Sequence, residues 1–411
     1  MSSKSIYFAS FLLISLMPIL LVTGPFLADL SVVILNFFFF YIVFKNKQFE
    51  LFKNKFFILF IFFCTLLIIR SLFTINLDIS LKSVLFYFRF LVFSLMVYLT
   101  LKNYPNFIKH FSIIFLITIN FILFDSIIQY LFGKDIFGIT SGHPVRVSGP
   151  FGDELVLGSF LSRFAPFLLF FFYNTKKPLN FLFIITFLLG FFVTILSAER
   201  TSTIYYIISI LFFLLYSKKI YKTKIFVIVA LISSVIFFNN FGEQKKRLFT
   251  EAFKNSQDAK VWISTMHDAH LRTAINMFLQ NPIFGVGPKM FRYHCSEKRY
   301  EIKNPPNPRS NELRCSTHPH NLLVQIMAET GLLGMLLYLI TLLFVIIQLI
   351  KELILRFKKN DEQIVNPKIF FLLSFFLTLF PLAPSGNIFN NWISIIFFYP
   401  LGFYLYFSKN D

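Results

Sequence analysis

Charge is scarce in this chain. Asp, Glu, Lys and Arg make up 14% of its 411 residues, while 56% are hydrophobic and the mean hydropathy is +0.69. So little charge beside so much apolar side chain excludes a soluble domain. Acidic residues are scarcer still, 20 against 39 Lys and Arg, which leaves a formal net charge of +19. In a soluble protein that excess would suggest nucleic acid, which needs a basic face in polar surroundings. Here the lysines fall in short clusters between apolar segments, the pattern that sets membrane topology, so nucleic acid is excluded as a partner. Cysteine numbers three. Cys64 lies in an apolar run, whereas Cys295 and Cys315 lie in the one large polar segment. Those two could pair if the segment faces an oxidising compartment, or remain two unpaired thiols, since spacing alone does not fix geometry. Also missing are an H-E-x-x-H, a CxxC, a Walker or Rossmann glycine motif before a helix, and the paired carboxylates of a glycosidase. Neither a metal nor a cofactor is therefore expected.

What the chain has in abundance is apolar runs, rich in its 62 Phe. Runs of about 16 to 22 such residues are long enough to cross the hydrocarbon core, and lipid leaves them no choice but helix. Spans are predicted near 6–24, 28–44, 55–73, 82–101, 108–131, 154–173, 178–197, 202–217, 224–240, 331–350, 369–384 and 389–407. The fold class expected is all-α, a polytopic transmembrane bundle of about twelve spans with one large periplasmic loop. The N-terminal run is too long for a signal-peptide core and no A-x-A site follows, so it reads as a retained first span. Lys4 and the basic loops at 45–55, 101–109, 174–180, 217–224 and 351–368 fall on one side if the spans alternate. That side is the cytoplasm by the positive-inside rule, and it holds both termini. The segments 132–154, 197–202, 381–391 and the long insert from about 241 to 320 then face the other way. Three regions follow: 1–240 with nine spans, the loop 241–320, and 321–411 with three more. Within the loop, "HDAHLRTAINMFLQNP" spaces Leu271, Ile275 and Phe278 at helical intervals up to Pro282, predicting an amphipathic helix on the membrane surface.

Charges inside the apolar runs are costly and mark function by default. Arg89 and Arg163 sit about seven residues, or ~10 Å of helical rise, inside their spans. Arg70, Asp125, Glu154, Glu199, Arg200 and Glu329 gather at outer ends, and the inner half has almost none. A transport pathway would need polar groups on both sides of the midplane. This distribution instead describes a basic cavity open to the outside. Arg89 and Arg163 could equally be structural, paired with Asp125 or Glu154. Several guanidiniums round one cavity suit a diphosphate, which each can grip with two parallel hydrogen bonds.

At the outer mouth of the tenth span stands "STHPHNLLVQIMAETGLLG", residues 316–334, in which the small residues from Ala328 to Gly334 allow the helix to break or pack closely. An imidazole there can take a proton from a hydroxyl, although His318 and His320 could also be plain interfacial caps. The stretch resembles the signature of the O-antigen ligase and Wzy-type polymerase superfamily. "LRTAINMFLQNPIFGVGPKMFR" (271–292) and "RVSGPFGDELVLGSFLSRFAP" (146–166) resemble two further segments of that superfamily, with "GDEL" a departure where many members have an asparagine-proline pair. The resemblance implies a metal-independent glycosyltransferase of the bacterial inner membrane. Its donor would be an undecaprenyl-diphosphate-linked glycan and its acceptor a lipid A-core sugar, as in an O-antigen ligase. The alternatives are a polymerase, whose acceptor is another repeat unit, or, in a different class, a lipid or polysaccharide transporter. It further implies His320 as general base, with His318 second, and Arg200 and Arg272 as diphosphate ligands. Arg146, Arg163 and Arg89 complete the arginines expected around the diphosphate.

Overall fold

The computed structural model describes residues 2–53, 55–217, 220–238, 242–250, 264–358 and 365–409. Residue 54 and residues 218–219 of two basic loops, 239–240 of the ninth span, 241 and 251–263 of the large loop and 359–364 of the last basic loop lie outside the described residues. The architecture is all-helical, and no strand occurs among the described residues. The helices that organise it are α1 (Ser3–Leu20), α2 (Pro25–Lys45), α3 (Lys55–Ser71), α4 (Leu77–Val84), α5 (Arg89–Asn103), α6 (Phe107–Phe132) and α7 (Leu157–Asn174). They continue with α8 (Leu179–Leu196), α9 (Arg200–Tyr216), α10 (Tyr221–Phe238), α11 (Thr265–Gln280), α12 (Leu322–Lys358), α13 (Lys368–Leu379) and α14 (Asn391–Lys409).

Every predicted span coincides with helix. Six stretches, α1, α2, α4 with α5, α6, α8 and α12, are long and apolar enough to cross a bilayer, and three shorter helices are also apolar. The helices stop where local chemistry dictates. Ser2 caps α1 through the Ser5 amide at 3.2 Å, α2 opens on Pro25, and α6 closes on the left-handed Gly133.

In lipid the apolar effect does not drive helices together, so close side-chain packing must. Phenylalanine supplies it. Phe115, Phe164, Phe167, Phe371, Tyr399 and Phe403 interlock with ring centroids 5.2, 5.3, 5.5 and 5.9 Å apart, at tilted, edge and offset angles that favour the ring quadrupoles. They join α6, α7, α13 and α14. Helix α7 is the hub, buried from Leu157 to Phe172 but for Ser159.

Several connecting segments that alternation places on the same side meet one another. At one end Arg146 donates to the Ser197 carbonyl (3.1 Å), Gln244 to Val145 (3.2 Å) and Asn321 to Pro381 (2.7 Å). The four segments expected outside are thereby joined. At the other end the Asn366 amide donates to the Tyr216 hydroxyl at 3.2 Å, and Lys368 pairs with Glu352 at 3.0 Å.

Two details differ from the sequence reading. The fourth span is interrupted at residues 85–88, which places Arg89 at the start of α5 and not deep in one continuous helix. Helix α12 runs on to Lys358, so Glu352 and Arg356, expected in a basic loop, are buried helical residues. Arg356 satisfies its charge by donating to the Tyr216 carbonyl (3.3 Å) with its guanidinium over the Tyr216 ring.

Candidate functional site

The site begins with a break. Helix α12 contains Gly331 at φ 67°, ψ −156°, a conformation essentially restricted to glycine. The break frees backbone groups that the segment after α11 takes up. The Val286 amide donates to the Ala328 carbonyl (2.8 Å), Gly287 to Glu329 (2.9 Å) and Leu332 to Pro282 (2.7 Å). The Gly285 carbonyl in turn accepts from Arg70 Nε and Nη2 at 3.1 and 2.9 Å. Glu329, fully buried, holds the same segment from below, accepting the Phe291 amide on Oε1 (3.1 Å) and Gln325 on Oε2 (2.9 Å). "FGVGP" is thus clamped across a broken helix, which the small residues of "AETGLLG" allow.

Helix α11 is capped by Ser264 and ends before Pro282, as expected. One face, with Ala274 and Met277, packs with Val286, Met290, Phe291 and Ala328 into a second small core. Of the predicted apolar residues, Ile275 is exposed and Leu271 and Phe278 are half-buried, with Leu279 exposed beside Ile275. Cys295 and Cys315 are joined in a disulfide, Cα atoms 5.2 Å apart, which ties the segment after α11 to the stretch just before His318.

Helix α11 and the start of α12 bring four imidazoles together. The His318 and His320 rings lie 4.1 Å apart, and His320 is 5.5 Å from His267 and 5.3 Å from His270. His320 adopts a left-handed backbone, φ 54°, uncommon for a residue with a side chain and the kind of strain that clusters at functional sites. It is held there because its carbonyl accepts from the Ser385 amide (2.9 Å) while Nε2 meets the Ser316 hydroxyl (3.0 Å). His318 Nε2 lies 3.2 Å from the Ser385 carbonyl. His270, 1% exposed, is packed against the backbone of Leu313 and Cys315. Sequence reasoning missed His267 and His270. Their i, i+3 spacing in "HDAH" puts both on one helical face, a signal that was available.

Burial disfavours charge on all four imidazoles. It is the largest cause that pulls His320 down to about 3 and His318 to about 4, with the neighbouring histidines adding to it. His267 and His270 are also lowered by burial first, then by Arg200 in the first case and His267 in the second. Among the described residues no group of three or more His, Cys, Asp or Glu is arranged to hold a metal ion. The arrangement can do proton chemistry.

The arginines divide. Arg200 lies beside His267 and donates Nε and Nη2 to the Arg247 carbonyl at 3.0 and 2.6 Å. Arg146 pairs with Glu199 at 3.4 Å, and Glu199 also accepts the Gly158 and Ser159 amides that open α7. Arg163 bonds Ser159 and stacks on Tyr205. Arg272 is half-exposed and paired with Asp268 on its own helix (2.7 Å). Arg89 pairs with Asp29 (2.8 Å) and Asn391 (2.9 Å), not with the predicted Asp125 or Glu154. Asp125 instead accepts the Ile136 amide at 3.0 Å. Only Arg200 of the five is placed against the histidines. Two cations that sequence reasoning passed over are Lys289 and Arg292 of "GPKMFR". Neither makes a side-chain hydrogen bond or ion pair among the described residues, and Arg292 Nε is buried without a partner. Arg292 acts electrostatically on His318, and both cations act with Glu329.

A multi-pass helical membrane bundle with a polar site at one end is the class this geometry defines. Residues 185–339, from α8 through the break in α12, match the family model described as O-antigen ligase. That segment, which contains Arg200, the histidine cluster and both loop cations, is where the chain is similar to the O-antigen ligase family, whose members are membrane glycosyltransferase-like enzymes. No curated protein matches the chain.

Proposed function

We propose that the protein is an O-antigen ligase, moving a glycan from undecaprenyl diphosphate to a sugar of the lipid A-core, without a metal, at the periplasmic face of the bacterial inner membrane. The observation that carries the reading is the His318–His320 pair, 4.1 Å apart, with His267 beside His320 at 5.5 Å and the Arg200 guanidinium acting on His267. The basic loops fall on the side opposite the histidines if the spans alternate, and the Cys295–Cys315 disulfide suits an oxidising compartment.

The chemistry follows from charge. Transfer breaks the bond between the anomeric carbon and the diphosphate oxygen and forms one to the acceptor oxygen. The acceptor's proton passes to His320, and the electron pair leaves with the lipid diphosphate. A base held near pKa 3 is weak alone, but the donor's negative charges beside the cluster favour its protonated form and raise its basicity when the donor is bound. Arg200 would stabilise the departing oxyanion, with Arg146 and Arg163 behind it holding the turn and α7. Arg272 and Arg89 are already paired and support the scaffold. His318 orients its neighbour and is the second choice as base.

Deleting the gene tests the assignment. A ligase mutant should lose glycan-capped lipopolysaccharide yet keep long lipid-linked chains. Single lipid-linked repeats in their place would make the protein a polymerase, and unchanged lipopolysaccharide with glycan retained inside the cell would make it a transporter.

A further inference from the structure

The cations around the histidines lie on two flanks. Arg200 acts on His267, whereas Arg292 acts on His318. The second flank is fixed in place. Phe291 is anchored through its amide to Glu329, its ring lies 6.5 Å from His270, and Lys289 takes a left-handed turn at φ 58°. Both Glu329 oxygens are already committed, to the Phe291 amide and to Gln325, and neither loop cation forms an ion pair with that carboxylate. Burial and the neighbouring Arg292 push the Lys289 ammonium below the usual lysine range. Glu329 offsets part of this charge, but with both its oxygens hydrogen-bonded elsewhere and the buried Arg292 Nε unbonded, a further anion between the two cations is favoured.

We propose that Lys289 and Arg292 form an anion site for the acceptor, so that the accepting glycan carries a phosphate or carboxylate close to the hydroxyl that attacks. If the donor diphosphate occupies the Arg200 flank, the remaining reactant reaches the histidines from the other side. An acidic group on it would dock its hydroxyl at His320. The acceptor's identity rests on the glycosyl-transfer reading, whereas the anion site itself does not.

The test uses the full-length protein in detergent, with amine-reactive labelling of Lys289 read by mass spectrometry. The probes are a lipid A-core glycan, the same glycan after dephosphorylation and carboxyl reduction, and undecaprenyl-diphosphate-linked donor. The acidic glycan should slow labelling several-fold, and the neutral glycan and the donor should not. In transfer assays Arg292→Gln should raise the acceptor KM at least ~10-fold with the donor KM unchanged, and remove the preference for the acidic acceptor, as loss of a charged hydrogen bond implies. Equal protection by donor, equal protection by the neutral glycan, or a rise in donor KM would overturn the proposal. Selective protection by the acidic glycan in a protein that transfers nothing would uphold the anion site and defeat the transfer reading.

Discussion

Replacing His320 by alanine is expected to lower glycan transfer by at least ~100-fold while leaving donor affinity within about twofold, since general-base help is typically worth two to four orders of magnitude. The loss should fall on kcat because the imidazole acts on the acceptor proton in the chemical step, not on the bound diphosphate. Backbone strain offers a control. His320 is left-handed at φ 54°, a conformation asparagine tolerates better than alanine, so His320→Asn separates loss of the base from distortion of the turn. Both variants should be equally inactive. Near-normal activity in either would move the base to His318. The wild-type pH profile carries the same signature. Free His320 titrates near 3 and His318 near 4, so kcat/KM should show no acid limb at the ordinary imidazole value of about 6.5. Stability behaves differently. Below pH ~6.5 the unfolded chain binds protons that the folded cluster refuses, so stability should fall as pH drops from there toward 4.

Gly331→Ala is expected to unseat the site. A Cβ there would lie 2.3 Å from the Ile283 carbonyl oxygen and 2.7 Å from the Gly285 nitrogen, both backbone atoms that cannot swing aside. Strain at such a glycine-only conformation costs about 1–3 kcal/mol, and losing the contacts of the clamped segment adds to it. The variant should therefore melt at a lower temperature in detergent and lose transfer, because the segment carrying Lys289 and Arg292 hangs on the same clamp. Gly242→Ala, where an added Cβ meets nothing within 4 Å, should be silent. Equal melting temperatures for Gly331→Ala and wild type would show that the break in α12 is not needed to seat the loop.

Most helices were legible because lipid leaves an apolar run no other structure, but the interruption at 85–88 and the early start and break of α12 were not. Loop parity was read from Lys and Arg alone, and the hydrogen bonds among connecting segments agree with it. Residue partners were not. Asp29 meets Arg89 across 60 positions, and Arg146 meets Glu199 across two connecting loops, distances in sequence that only bundle packing resolves. Depth in the apolar run therefore pointed to Arg89 and Arg163 as ligands, although each is engaged by protein groups. His318 and His320 were legible from the motif at a helix mouth. His267 and His270 join them only because α11 folds back on the broken start of α12, and the break depends on one backbone conformation at Gly331.

The most direct measurement is transfer by the purified protein in detergent, from undecaprenyl-diphosphate-linked glycan to lipid A-core, with excess chelator present. A glycosylated lipid A-core formed at the same rate with and without chelator, and absent with His320→Ala, is the predicted result. Loss of wild-type transfer on adding chelator, or undiminished transfer by His320→Ala, would contradict a metal-free glycosyl transfer centred on His320.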